Sequence, residues 1–302
     1  MAMRLVGLIR RETGLEVALR DVFAHPTVQA LAAVVDACSK AGYVYNPMLP
    51  LRTTGKQSPL FCIHPAGGLA TVYQILAAHL DPDIPVYGLQ AKGVERSEPP
   101  HNSIEDMARC YIEAIRTIQP DGPYRLLGWS FGGTVALEMA SQLESSGAIV
   151  EAIVLIDTNL EQIADDQPDI DEDQFFIKAM KDLGFDVREL NEYDLKQKVV
   201  ELLVEQRLLP SGADVKFVGR ITQTMLRASR MVLNYSIKNI QSSVLYFKAS
   251  NNTCLTVDAR LGDITLQNFI IEPVNEEHGK MCSQEASSAM MAQRINRYFA
   301  QR

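Results

Sequence analysis

Gly128-Trp129-Ser130-Phe131-Gly132 sets a serine between two glycines, with a strand pattern before it and a helix pattern after it. A strand that turns that sharply into a helix presents the serine hydroxyl outward, as a nucleophile must be presented. Glycines at 128 and 132 leave room around the strained residue, while Gly133 and Ala136 let the following helix approach the sheet closely. A serine hydroxyl is unreactive at neutral pH, so it needs a positioned base, and the base needs a carboxylate to fix its tautomer. Of the five histidines, His25, His64, His79, His101 and His278, only His278 lies downstream of Ser130. A nucleophile on this kind of turn is followed in the chain by its acid and then its histidine, so His278 is the base by elimination. The acid is expected at Asp157, which ends the apolar run Ala152-Ile-Val-Leu-Ile156 and needs no loop to reach the serine. Asp258, or Asp263 beside it, follows a later strand and is the alternative. The tetrahedral intermediate of such an attack needs donors for its oxyanion: the backbone N–H of Phe131 and one from the loop His64-Pro65-Ala66-Gly67-Gly68, where Ala66 is best placed. His64 reads as a residue that shapes this turn, and Trp129 and Phe131 as packing residues.

These groups meet only if the chain positions them. From residue 60 the sequence alternates strand and helix: strands over 60–64, 86–90, 124–128 and 152–156, helices over 71–80, 103–118 and 132–143. Ser103 and Asp106 fit a capping box at the second helix. The pattern predicts an α/β fold with an open, mostly parallel sheet, helices on both faces, and a site at the carboxyl ends of the strands. After Asp157 the alternation stops for about eighty residues, with helical stripes over 173–183, 194–207 and 218–235, and resumes with strands over 243–248 and 267–272 and a helix over 283–298. An insertion of that length reads as a helical lid, about 160–240. The acidic run 161–173 lacks the glycine and terminal glutamate of a calcium loop and reads as solvated.

Upstream, residues 4–37 show only helical periodicity, and 46–59, with three prolines and Gly55, reads as a linker. The expected domains are 1–42, a linker over 43–58, and a catalytic domain over 59–302.

The 302 residues are 47% hydrophobic and 22% charged, a globular composition, and the net charge of −8 argues against binding nucleic acid or anionic lipid. No apolar run is long enough to span a membrane and the start lacks a secretory pattern, so a cytoplasmic protein is expected. Cys38, Cys62, Cys110, Cys254 and Cys282 are scattered, with no zinc-type spacing, and read as reduced thiols; no metal is expected.

Together these residues resemble the type I thioesterase domain at the carboxyl end of nonribosomal peptide synthetases, an α/β-hydrolase fold. The likeness is carried by Pro59-Leu-Phe-Cys-Ile-His-Pro-Ala-Gly-Gly68, Val86-Tyr-Gly-Leu-Gln90, Gly122-Pro-Tyr-Arg-Leu-Leu-Gly-Trp-Ser-Phe-Gly-Gly133 and Ile156-Asp157. The resemblance implies that the acid follows the strand after the nucleophile helix, which favours Asp157, 27 residues beyond Ser130, over Asp258. One departure is local: Gly279 and Lys280 follow His278 where the family often has a bulky residue. Residues 1–42 resemble the latter part of a peptidyl carrier domain, through Arg4-Leu-Val-Gly-Leu-Ile-Arg-Arg-Glu-Thr-Gly14 and Leu19-Arg-Asp-Val-Phe-Ala-His-Pro-Thr-Val28. The Gly-Gly-x-Ser stretch that bears phosphopantetheine in such domains is not in this sequence. The resemblance thus implies a chain beginning inside a carrier, no cofactor of its own, and a peptidyl or acyl substrate delivered as a thioester on the 4'-phosphopantetheine of the carrier, its partner. It implies release by cyclisation or hydrolysis from a monomer. A discrete editing thioesterase and a non-catalytic hydrolase-like binding module are the alternatives.

Overall fold

A computed structural model describes residues 2–13, 17, 21–22, 25, 27–41, 45–95, 98–161, 197, 200–201, 215–252 and 256–302. The strands are β1 Met48–Arg52, β2 Leu60–Ile63, β3 Val86–Leu89, β4 Tyr124–Trp129, β5 Val150–Ile156, β6 Ser243–Ala249 and β7 Phe269–Val274. They form one seven-stranded sheet in the order β1-β3-β2-β4-β5-β6-β7. β1 runs antiparallel to β3, and every other pairing is parallel.

The described helices are α1 Ala2–Thr13, α2 Val28–Ala41, α3 Gln74–His79, α4 Ile104–Arg116, α5 Phe131–Ser145, α6 Val215–Leu233, α7 Val257–Ile264 and α8 Glu285–Ala300. The period-2 alternation of each strand divides the core. Phe61, Ile63, Leu126, Ile153 and Leu155 pack with α4 and α5, whereas Leu60, Cys62, Leu127, Val154 and Phe247 pack on the opposite face with Tyr73, α3 and α8. Strands buried on both faces read as continuous apolar runs, which is why β2, β4, β5 and β6 stand out in the sequence. α5 lies between sheet and α4 and is buried nearly all round, so it has no polar stripe. The predicted cap on α4 is present: Ser103 Oγ accepts from the Asp106 N–H at 3.1 Å.

Two readings are corrected. The segment 43–58, expected as a linker, contains β1, which pairs with β3 through Met48↔Leu89, Leu49↔Gly88 and Pro50↔Tyr87. β1 is the outer strand, where a proline that cannot donate to the ladder is tolerated. The helix expected over 71–80 is divided into a 3-10 turn, Ala70–Tyr73, and α3. Of the lid, α6 is described and matches the third expected stripe. The stripe over 173–183 and most of that over 194–207, the acidic run beyond Glu161, and Cys254 lie outside the described residues. Cys62, Cys110 and Cys282 are free thiols, and burial pushes the pKa of Cys62 and Cys282 upward. Among the described residues no helix is long and apolar enough to cross a membrane, and no cluster of ligating side chains suits a metal ion.

Candidate active site

The carboxyl ends of β4, β5 and β7 build the site, with β6 between the last two. β4 ends at Trp129 and α5 begins at Phe131, so a single residue, Ser130, makes the turn, at φ 55° and ψ −122°. A side chain in that region is strained by about 1–3 kcal/mol, and the surroundings must hold it there. They do so by close backbone contact. A Cβ on Gly128 would lie 2.2 Å from the carbonyl of Gly132, and one on Gly132 would lie 2.4 Å from Ile63 O and 2.6 Å from His64 O. Only glycine fits at either place. The Ser130 N–H donates to Ile156 O at 2.9 Å, which fastens the bend to β5.

β5 then delivers Asp157, also at positive φ (45°), with its N–H on Phe247 O at 2.8 Å. His278 follows β7 and opens a 3-10 turn, His278–Lys280; its N–H donates to Asn251 Oδ1 at 3.0 Å. His278 Nδ1 lies 2.7 Å from Asp157 Oδ2, and His278 Nε2 lies 3.2 Å from Ser130 Oγ. With the Nδ1 proton on the carboxylate, Nε2 carries a lone pair and accepts from the serine hydroxyl, the tautomer that a general base requires. The Trp129 ring packs against the imidazole, with centroids 5.8 Å apart.

Asp157 is 6% exposed. Burial by itself would raise its pKa. Hydrogen bonds from His278, from Asn252 Nδ2 at 2.5 Å and from the Ala249 N–H at 3.1 Å, with the charge of His278, outweigh burial and hold the carboxyl below its ordinary range. The alternative acids are elsewhere: Asp258 and Asp263 are exposed on α7, and Asp263 pairs with Arg260 at 3.5 Å.

Ala66 lies in the loop after β2, and Phe131 is the first residue of α5; neither backbone N–H donates to a described residue. His64 braces this loop. It is fully buried, its Nδ1–H donates to Pro65 O at 2.7 Å, its Nε2 accepts from the Tyr111 hydroxyl at 2.8 Å, and its ring stacks on Phe131. Burial chiefly lowers its pKa to about 4, so it is a neutral brace and not a second base. α6 covers the same loop: a Cβ on Gly67 would lie 3.6 Å from Ile221, and one on Gly68 3.0 Å from Thr224. The structure therefore brings Ser130, Asp157 and His278 into one chain of hydrogen bonds; Phe131 follows Ser130 at the start of α5, and Ala66 lies in the loop after β2.

Asn251 and Asn252, which hold His278 and Asp157, were not singled out from the sequence. Their one signal is a polar turn directly after a strand, which is common to many surface loops.

A seven-stranded, mainly parallel sheet with its strained serine at a carboxyl edge is an α/β-hydrolase fold. Comparison with known proteins agrees. Residues 58–234 match the Thioesterase domain family and residues 1–35 the Phosphopantetheine attachment site family. The first match covers more than half of the sequence, and the chain belongs to the thioesterase domain family. A dimodular nonribosomal peptide synthase of Bacillus subtilis (strain 168) is 34% identical over 251 residues, 83% of this chain and 10% of that protein. This chain thus spans only a small part of the length of the curated relatives it matches. The crystal structure of a four-domain nonribosomal peptide synthetase bound to AMP and glycine aligns with a TM-score of 0.73 at 24% identity, over 99% of this chain and 23% of that one. The NocB thioesterase domain, in covalent complex with a fluorophosphonate nocardicin G analogue, aligns with a TM-score of 0.58 at 27% identity, over 80% of this chain and 95% of that one.

Proposed function

We propose that this chain releases a peptidyl or acyl group from the phosphopantetheine thioester of a carrier domain in a nonribosomal peptide synthetase, through an acyl-enzyme on Ser130. In this reading residues 1–42 are the end of that carrier, and the thioesterase runs from β1 to residue 302. The arm and its cargo are substrate, and the free thiols suit a reducing cytoplasm. The observation that carries the proposal is the position of His278, whose two ring nitrogens face Asp157 at 2.7 Å and Ser130 at 3.2 Å.

The chemistry follows from those contacts. Ser130 Oγ attacks the thioester carbonyl carbon as its proton passes to His278 Nε2, and Asp157 stabilises the imidazolium. The oxyanion accepts from the N–H groups of Phe131 and Ala66; losing one such donor costs about 3 kcal/mol of transition-state stabilisation. Collapse breaks the C–S bond, and the imidazolium returns its proton to the departing sulfur. Water, or an amine or hydroxyl of the substrate itself, then attacks the ester carbonyl carbon and gives its proton to His278; the acyl C–O bond breaks, and the imidazolium passes that proton to Ser130 Oγ, which restores the free serine. An apolar lid that excludes water favours the internal nucleophile and a leaky one favours hydrolysis.

The test is mass spectrometry after mixing with a peptidyl pantetheine thioester. The wild-type protein should gain the peptidyl mass on Ser130 and then release free acid or ring, and Ser130→Ala should gain nothing. An adduct that persists on Ser130→Ala overturns the assignment.

A further inference from the structure

Behind the loop after β2 and the turn at Ser130, one hydroxyl ties together the strands that lead into them. Tyr73 closes the 3-10 turn Ala70–Tyr73 and is fully buried. Its hydroxyl donates to Ile63 O at 2.6 Å and accepts from the Trp129 N–H at 2.9 Å. β2 and β4 are paired as far as Ile63 and Gly128. The hydroxyl therefore stands where the next rung of the ladder would be, at the point where the two strands part. Ile63 is three residues ahead of Ala66, and Trp129 is two ahead of Phe131.

Neither path has slack. From Ile63 the chain passes through His64, pinned to Pro65 O and to Tyr111, and from Trp129 it passes through Ser130, held at positive φ and fastened to β5. The distance between the N–H groups of Ala66 and Phe131 is therefore set by the distance between Ile63 and Trp129, and two hydrogen bonds to one oxygen fix that distance. A misplacement of about 1 Å at a reacting centre is enough to lose about a hundredfold in rate.

We propose that Tyr73 is a positioning residue for the oxyanion hole, setting the gap between the Ala66 and Phe131 donors through its single hydroxyl. It acts from inside the core and touches no substrate. The inference rests on the reading of Ser130 as nucleophile.

The test compares a ground-state and a transition-state mimic on the full chain. Tyr73→Phe keeps the ring that fills the core and removes only the oxygen. Acylation by a peptidyl pantetheine thioester should slow about 30-fold. Binding of the matching peptidyl boronic acid, which becomes tetrahedral on Ser130, should weaken by a similar factor, and binding of the unreactive peptidyl pantetheine amide should stay within twofold. Replacing Tyr73 by 4-aminophenylalanine restores the donor to Ile63 O but not a good acceptor for the Trp129 N–H, so it should recover only part of the rate. Acylation of Tyr73→Phe at the wild-type rate overturns the inference, as does an equal loss of boronate and amide binding, which is what general loosening would give. If Tyr73→Phe does not fold, the 4-aminophenylalanine protein decides: slowed acylation with unchanged amide binding supports the role, and wild-type acylation overturns it. An adduct on Ser130→Ala would instead remove the underlying reading, whereas a silent Ser130→Ala beside a fully active Tyr73→Phe removes this inference alone.

Discussion

Asp157 Oδ2 and His278 Nδ1 meet at 2.7 Å across 121 residues of chain, and the other oxygen of the same carboxylate is held by Asn252 and the Ala249 N–H. Each oxygen thus has its own donors, and the carboxylate cannot rotate without breaking several of them. In Asp157→Asn the amide puts an N–H where one of those donors points. That drives His278 towards the tautomer with its proton on Nε2, which is unable to take the serine proton. We expect kcat for a pantetheine thioester to fall about 10³–10⁴-fold with the fold intact by circular dichroism. A loss below tenfold would show that Asp157 does not orient the base.

Gly133 answers to a different neighbour. A Cβ there would lie 1.8 Å from Thr158 Oγ1 and 2.8 Å from Thr158 Cβ, just beyond β5, so α5 sits as close to the sheet as a helix can. Gly133→Ala should destabilise the protein by about 1–3 kcal/mol, the usual cost of forcing a methyl into a filled core. Adding Thr158→Gly should recover part of the loss in urea denaturation. Equal stabilities of wild type and Gly133→Ala would mean that α5 has room to move.

The parallel core was legible because β2, β4, β5 and β6 are buried on both faces and leave unbroken apolar runs, and Ser130 was legible because a bend that tight admits so few residue types at 128 and 132. β1 was hidden by its own chemistry. Pro47 and Pro50 give 46–59 the look of a linker, and an outer strand can carry a proline that an inner strand could not. α7 is short, its acidic residues face solvent, and the sequence pattern placed no helix there. Tyr73 and Asn252 escaped for a common reason: a core phenol and a turn amide owe their roles to partners on strands far along the chain, and no local pattern announces such partners.

Glu138 lies within α5 and has no solvent exposure, yet it is met by the Tyr235 hydroxyl at 2.7 Å, Lys238 Nζ at 2.9 Å and Gln142 Nε2 at 2.8 Å. Tyr235 and Lys238 follow the end of α6, so this carboxylate fastens the exit of α6 to α5. Tyr235 is buried, and Tyr235→Phe should cost about 2 kcal/mol, as for hydrogen bonds to a charged group. The Lys238 side chain is 50% exposed and water competes for it, so Lys238→Met should cost about 1 kcal/mol or less. Urea midpoints of the two variants in the reverse order would show that the ammonium, not the phenol, holds the junction.

His64 gives the stability of the protein a pH dependence. Tyr111 has one hydroxyl proton; with the His64 Nδ1–H on Pro65 O, that proton goes to Nε2, and the Gln90 carbonyl is served by Tyr45 at 2.8 Å. Both ring nitrogens are thus satisfied in the neutral form, and burial, as the largest cause, lowers the pKa from 6.5 to about 4. The folded value lies below the unfolded one, so between these limits the unfolded chain binds the extra proton and stability rises with pH. The contribution is complete above pH 6.5 and is lost as pH falls towards 4. Between pH 7 and pH 4 the wild type should lose on the order of 3 kcal/mol more than His64→Phe, which lacks the titrating ring. The variant will also lose the Tyr111 contact, but that loss is the same at every pH, so the informative quantity is the difference in slope. Parallel stability curves would mean that His64 takes up its proton equally well in the folded protein, and the brace behind Ala66 would then have to be charged at mildly acid pH.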